Sequence, residues 1–208
     1  MDAGGVTIRL IGADEVEAFR TIRLESLRAE PASFASRYED WEVLSLEEWR
    51  ERLNEPVFIA FQEGEPVGIM GLFRQRSSKM AHRATIVMVY VRAGLRGTGL
   101  AVMLLEAISN HARDIGIRQL ELFVSAENPA AIRFYQRQGF AEIGRIPGGV
   151  LEEGREIDDV MMARRVAASS KAPLGAKPIG RSAAALLIIL LTSSWVGVAG
   201  CRLNRRLQ

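Results

Sequence analysis

Cysteine and histidine are scarce in this sequence, whose 208 residues include one cysteine, Cys201, and two histidines. A single cysteine excludes an internal disulfide and any zinc site built from cysteines, and we expect no metal cofactor. The first nine residues also lack the basic start and apolar stretch of a secretory signal. This composition is typical of a reducing compartment, so we expect a cytoplasmic protein.

An excess of basic charge is also absent from most of the chain. The formal net charge is +2, but six of the 27 basic residues and none of the 25 acidic residues lie in 167–208. Residues 1–166 therefore carry a net charge of −4. A nucleic-acid surface requires basic residues gathered on one face, so we do not expect nucleic acid as a partner.

The spacing of apolar residues predicts alternating helices and strands. Amphipathic helices are predicted at 14–30, 45–53, 100–115 and 128–139, and strands at 57–62, 67–75, 84–91, 119–124, 140–144 and 157–164. A capping box of Ser45 and Glu48 starts the second helix, and Asn128 with Pro129 starts the fourth. Residues 31–41 and 147–154 are predicted loops.

A glycine-rich turn, GLRGTGLA at 94–101, separates a predicted strand from the longest predicted helix. Glycines let backbone N–H groups approach an anion, and the first N–H groups of a helix lack partners within it. The turn therefore predicts a phosphate site. No lysine follows the glycines as a P-loop requires, and Val102 stands where a dinucleotide fingerprint has its third glycine.

Two segments resemble motifs of the GNAT superfamily of N-acetyltransferases. Residues 96–101 (RGTGLA) are similar to the family's R/Q-x-x-G-x-G/A motif, and 128–140 (NPAAIRFYQRQGF) to its N-x-x-A-x-x-F-Y-x-x-x-G-F segment. The resemblance covers about residues 6–166. It implies an α/β (α+β) GNAT fold, in which a mixed, mostly antiparallel sheet is flanked by helices, with acetyl-CoA as co-substrate.

The resemblance also implies which residues bind acetyl-CoA. The strand would pair its backbone with the pantetheine arm, and the turn would hold the pyrophosphate. The implied binding residues are Val89, Tyr90, Val91, Arg96, Gly97, Thr98, Gly99, Leu100, Ala101, Asn128 and Tyr135. Tyr135 is implied as the general acid that protonates the departing coenzyme A thiolate. The alternatives are that Asn128 only caps a helix and that Tyr135 only packs in the core.

A general base is missing from the strand on which some relatives carry a glutamate, because residues 84–88 hold no carboxylate. The alternatives are a water relay through Thr85, His82 or a backbone carbonyl, and an amine that arrives neutral. His111 on the long helix is expected at the surface. Six acidic residues are candidates to line a cleft for a cationic acceptor: Glu25, Glu39, Asp40, Glu42, Asp158 and Asp159.

The composition changes after Val166. Residues 167–181 read as a flexible linker, 182–200 as an uncharged apolar segment, and 201–208 as a basic tail. The apolar segment predicts either a membrane anchor or a helix docked on a partner. Its end, Val198 to Cys201, resembles a bacterial lipobox, which hints at a bacterial source.

The sequence therefore predicts an N-acetyltransferase that transfers acetyl from acetyl-CoA to a primary amine of a small molecule or peptide by direct attack. Two further acceptors stay open, a protein N-terminus and a lysine. One rival hypothesis is a non-catalytic acyl-CoA-binding module, against which Tyr135 argues. Another is a membrane-tethered interaction protein whose function lies in the tail. Because members of the family often dimerise, the resemblance also implies a homodimer.

Overall fold

The structure is a computed structural model that describes residues 5–166. The predicted linker at 167–181, the apolar segment at 182–200 and the basic tail at 201–208 lie outside the described residues. Within residues 5–166, the longest helix has 15 residues, and no helix is long and apolar enough to cross a bilayer.

In the described part of the chain, seven strands form one mixed sheet. They are β1 (Val6–Leu10), β2 (Val57–Gln62), β3 (Glu65–Arg74), β4 (Arg83–Val91), β5 (Gln119–Ser125), β6 (Ala141–Glu152) and β7 (Arg155–Arg165). Their order across the sheet is β1-β2-β3-β4-β5-β7-β6. Only β4 and β5 are parallel neighbours. This confirms the predicted mixed, mostly antiparallel sheet.

Among residues 5–166, five α-helices flank the sheet: α1 (Val16–Ala29), α2 (Tyr38–Glu42), α3 (Leu46–Glu51), α4 (Leu100–Asp114) and α5 (Pro129–Arg137). The first three bury Phe19, Trp41 and Trp49 against apolar residues of β2, β3 and β4. We call this side the α1 face. On the other side, the α4 face, Leu104 and Ile108 join a second apolar cluster. Apolar stripes at helical spacing explain this arrangement.

The predicted loop at 147–154 is wrong, because most of these residues belong to the long β6–β7 hairpin. Glu153 and Gly154 have positive φ angles of 48° and 81°, and they close the hairpin in a two-residue turn. The pairing register shifts between Ile146 and Val150, so Pro147, Gly148 and Gly149 form an irregularity within the strand. An edge strand tolerates proline because one side of its backbone needs no partner.

Two shorter segments also differ from the prediction. Strand β1 was not predicted, because its five residues alternate too briefly to give a clear signal, yet the whole strand pairs with β2. The predicted loop at 31–41 contains a 3-10 turn, Pro31–Ser33, and the start of α2. The helices at 45–53, 100–115 and 128–139 are confirmed apart from their end residues.

Candidate active site

The two parallel strands separate beside the glycine turn. β4 pairs with β5 only through Arg83, Ala84 and Thr85, which lie opposite Gln119, Leu120 and Glu121. Beyond this short ladder the backbone edges of the two strands have no pairing with each other. The second half of β4 therefore offers unpaired backbone groups to a gap that opens toward the glycine turn.

A β-bulge shapes the β4 side of this gap. The register on β3 shifts between Ile69 and Gly71, and Met88 has a positive φ of 55°. The Arg92 N–H donates to Val67 O of β3 over 2.9 Å. Because backbone direction alternates along a strand, the N–H and C=O of Val91 point away from β3, toward the gap.

The glycine turn carries a row of backbone N–H groups that have no acceptor among the described residues. These belong to Gly97, Thr98, Gly99, Leu100 and Ala101. Gly97 and Gly99 have φ angles of 80° and 95°, which favour glycine. The Thr98 hydroxyl donates to Leu95 O over 2.8 Å and fixes the turn. Five unpaired donors at the positive end of a 15-residue helix form a site suited to a phosphate group.

The Arg96 side chain is directed to α1 and β4. Its Nη2 donates to Glu30 Oε1 over 2.5 Å, and its Nε donates to Val91 O over 3.2 Å. The guanidinium therefore ties the end of α1 to the end of β4. A ligand that pairs with the gap edge of β4 has the Val91 N–H available, whereas its carbonyl already accepts from Arg96.

The Tyr90 side chain does not face the gap. It is buried in the α1-face cluster, and its hydroxyl donates to Glu25 Oε1 over 3.0 Å. Burial and the Glu25 carboxylate raise the pKa of Tyr90 to about 12. Arg92 also donates to Glu25, through Nε and Nη2, and this holds the pKa of Glu25 below its usual value. These contacts fix β4 to α1.

Helix α5 brings Asn128 and Tyr135 to the α4 face. Asn128 Oδ1 caps the helix by accepting from the Ala131 N–H over 3.0 Å. Its side-chain amide donates to none of the described residues, which leaves this group for a ligand. Tyr135 is buried between the rings of Phe134 and Phe140, with centroids 5.2 and 5.7 Å away. Burial raises the pKa of Tyr135.

The histidines lie away from the glycine turn. His82 precedes β4 at the end opposite the turn, and nine strand residues at ~3.3 Å each separate the two ends by roughly 30 Å. His111 packs its ring on Phe58 with centroids 5.5 Å apart. Thr85 lies opposite Glu121, where β4 and β5 still pair. The geometry therefore does not favour a relay through these side chains.

Five of the six acidic candidates are either engaged or exposed. Glu25 is engaged by Tyr90 and Arg92, Asp40 accepts from the Arg37 N–H, and Asp158 accepts from the Gly148 N–H. Glu39 and Glu42 are exposed on α2. None of these five is a buried carboxylate without a partner.

Asp159 differs from the other acidic candidates. It lies opposite Ser125 of β5 and Ile146 of β6, neither of which is charged. Its side chain accepts no hydrogen bond from the described residues, and burial raises its pKa. Val124, which precedes Ser125 on β5, and Val160, which follows Asp159 on β7, both belong to the α4-face cluster. Neighbouring residues of a strand point to opposite faces of the sheet. Asp159 therefore lies on the α1 face, beside the end of β5 that borders the gap.

Comparison with known proteins agrees with this geometry. The profile of the acetyltransferase (GNAT) family matches residues 19–140. The chain is 34% identical over 85 residues to the L-methionine sulfoximine/L-methionine sulfone acetyltransferase of Pseudomonas aeruginosa, a match that covers 41% of this chain and 49% of that protein. It therefore spans about half the length of this relative.

Two solved structures are similar to the described fold. The ribosomal-protein-alanine N-acetyltransferase of Brucella melitensis is 26% identical with a TM-score of 0.64. The match covers 76% of the present chain and 99% of the Brucella chain. The phosphinothricin acetyltransferase of Sinorhizobium meliloti in complex with acetyl-CoA is 20% identical with a TM-score of 0.66. This match covers 82% of the present chain and 94% of the Sinorhizobium chain. The chain belongs to the acetyltransferase (GNAT) family, whose members are N-acetyltransferases.

Proposed function

We propose that this enzyme transfers the acetyl group of acetyl-CoA to a primary amine of a small molecule by direct attack. The observation that carries this proposal is the row of unpaired N–H groups at 97–101, which follows β4 and leads into the first turn of α4 beside the gap. A pyrophosphate accepts from several such donors at once. The similar L-methionine sulfoximine/L-methionine sulfone acetyltransferase named above also supports a small-molecule acceptor.

The residues around the gap suit acetyl-CoA. The pyrophosphate would accept from the N–H groups of Gly97 to Ala101, and the pantetheine arm would extend the open edge of β4 at Val89 and Val91. The side-chain amide of Asn128 is free to donate to that arm from α5. A thioester carbonyl held by backbone N–H groups is also stabilised when it becomes an oxyanion.

The two sides of the sheet supply the two proton transfers. We propose that Tyr135, on the α4 face, gives its proton to the coenzyme A thiolate. Its raised pKa keeps the phenol protonated until a thiolate forms. We propose that Asp159, on the α1 face, accepts the proton of the attacking amine. Burial raises its pKa toward the range in which a carboxylate is a useful base.

A thiol-release assay tests the proposed reaction. The full chain is incubated with acetyl-CoA and one amine at a time: amino acids, L-methionine sulfone, phosphinothricin, a polyamine, an aminoglycoside and a peptide with N-terminal alanine. Free coenzyme A is measured with a thiol reagent, to which the single Cys201 adds at most a constant signal. We expect release above the amine-free rate with at least one small amine.

Two results would count against the proposal. Turnover with the peptide alone would move the acceptor to a protein N-terminus and leave acetyl transfer intact. Folded protein that releases no thiol with any amine would contradict acetyl transfer and favour a binding module.

Replacing Gly99 by alanine is expected to raise the KM for acetyl-CoA about tenfold. Gly99 has a φ of 95°, and alanine in this left-handed region costs ~1–2 kcal/mol, so the N–H row shifts. Gly64→Ala is the matched control, because Gly64 has a φ of 85° in the turn between β2 and β3 and its added Cβ also meets nothing within 4 Å. Both variants should lose similar stability. An equal KM for the two variants would show that the N–H row does not bind the cofactor.

A further inference from the structure

Arg23 of α1 is an unusual buried cation. The residue is 3% exposed. Its guanidinium carbon lies 4.7 Å from the ring centroid of Phe34 and 4.5 Å from that of Trp41. The rings of both residues therefore pack against the guanidinium. Phe34 is half-buried and lies between the 3-10 turn Pro31–Ser33 and α2.

The guanidinium of Arg23 donates no hydrogen bond to residues 5–166. Nε and Nη1 are enclosed without a partner. Because Nη2 shares one edge with Nε and the other with Nη1, both edges of the group are unpaired. Three other arginines at α1 have hydrogen-bond partners: Arg92 pairs with Glu25, Arg96 with Glu30, and Arg28 donates to the Tyr38 hydroxyl. Arg20 of α1 also has a buried Nε without a partner, but it forms an ion pair with Glu17 at 4.0 Å.

Three carboxylates of α1, its C-terminal cap and α2 are already engaged. Glu25 and Glu30 hold arginines, and Asp40 accepts from the Arg37 N–H. Burial lowers the pKa of Arg23 to about 9, so the side chain still carries its charge at neutral pH. Stacked rings stabilise a cation only in part, and a buried charge without a counter-ion destabilises the folded protein.

Arg23 lies on the same face of the sheet as the proposed base. The cluster that surrounds α1 includes Met88, the bulge residue of β4, and the buried side of Tyr90. The proposed base Asp159 lies on the same face, whereas Tyr135 lies on the other. An acceptor held at Arg23 would thus be on the amine side of the thioester.

We propose that Arg23 binds an anionic group, such as a carboxylate, of the acceptor amine. This inference rests on the proposed acetyl transfer and adds the substrate class: amines that also carry a negative charge, as α-amino acids do. A guanidinium fork matches a carboxylate in shape and pairs with it through two parallel hydrogen bonds. Access to the enclosed edge requires a neighbouring side chain to move, and Phe34 is the less buried of the two stacked rings.

Paired substrates test this inference on the full chain. L-amino acids are compared with their carboxamides, which keep the amine and lose the charge. We expect the wild-type kcat/KM to be at least about tenfold higher for the acids. Arg23→Met should lower kcat/KM for the acids roughly 100-fold, the loss typical of removing one partner of a buried charge pair, and should leave the amides within about threefold. Arg23→Lys should retain only part of the preference, because it keeps the charge and loses the fork.

The Tm of the Arg23→Met variant separates a ligand-binding role of Arg23 from a purely structural one. Arg23→Met removes an unpaired buried charge, so its Tm without ligand should equal or exceed that of the wild type. Arg50→Met is the matched control, because it removes an exposed arginine of α3 that pairs only weakly with Glu47 at 3.7 Å. It should leave the acid-to-amide preference unchanged.

Two outcomes would overturn the assignment. One is wild-type protein that uses acids and amides equally well. The other is an Arg23→Met variant with a lowered Tm that loses both substrate types together. If no amine is acetylated, the proposed function fails, but ligand-induced Tm shifts still decide the role of Arg23. A rise with amino acids in the wild type only would support it, and no rise would overturn it.

Discussion

Tyr135→Phe is expected to lower kcat by about 100-fold or more, with a small change in the KM for acetyl-CoA. General acid catalysis contributes typically ~10²–10⁴-fold, and the phenol is the proposed donor to the coenzyme A thiolate. The substitution keeps the ring, which packs against Phe134 and Phe140, so the protein should stay folded. Stopped and continuous thiol-release assays measure the change.

Tyr38→Phe is the matched control for this prediction. It also removes one hydroxyl, but that hydroxyl accepts from Arg28 on α1 and lies outside the gap. Its kcat should stay within about twofold of the wild type, as for most surface changes. If Tyr135→Phe behaves in the same way, Tyr135 only packs in the core, which is the alternative that its burial among aromatic rings leaves open.

Asp159→Asn is expected to lower kcat/KM for the amine by about 100-fold near neutral pH, because the attacking amine loses its base. The deprotonated carboxylate is the active form. Wild-type activity should therefore fall as the pH drops through the pKa of Asp159, which burial raises above its usual value. The pH profile of the Asp159→Asn variant should lack this loss of activity. It should keep only the increase in activity with pH that follows deprotonation of the amine itself.

Stability separates this catalytic role from a structural one. A carboxyl group whose pKa is raised on folding contributes its full stabilisation below its unfolded pKa, and this contribution is lost as the pH rises through the folded pKa. The partly buried charge of the deprotonated Asp159 is therefore a cost, and Asp159→Asn should have an equal or higher Tm at neutral pH. Glu156→Gln, an exposed carboxylate on the same strand, is the control and should change neither property. A lowered Tm in Asp159→Asn with an unchanged pH profile would contradict the assignment.

Local signals in the sequence account for the cofactor side of the candidate site. The glycines at 97 and 99 and the cap residues at 128 and 129 determine backbone conformation within a few residues, so their spacing predicts the turn and α5 directly. The long β6–β7 hairpin was missed because proline and glycine near 147–154 normally indicate a loop. Pairing with β7 overrides that local preference.

The acceptor side depends on contacts between distant segments and could not be predicted in this way. Asp159 was only one of six acidic candidates, and its distinction is burial beside two uncharged neighbours from β5 and β6. Arg23 had no signal, because an arginine on an amphipathic helix normally faces solvent. Only the packing of Phe34 and Trp41 around it encloses the charge.

The most direct test of acetyl transfer is mass spectrometry of the amine together with quantification of free coenzyme A in the same reaction. The proposed direct attack predicts one acetylated amine for each coenzyme A released, with both products reduced in parallel by Tyr135→Phe and Asp159→Asn. Coenzyme A release without an acetylated amine, or no release by folded protein across all amines, would contradict it.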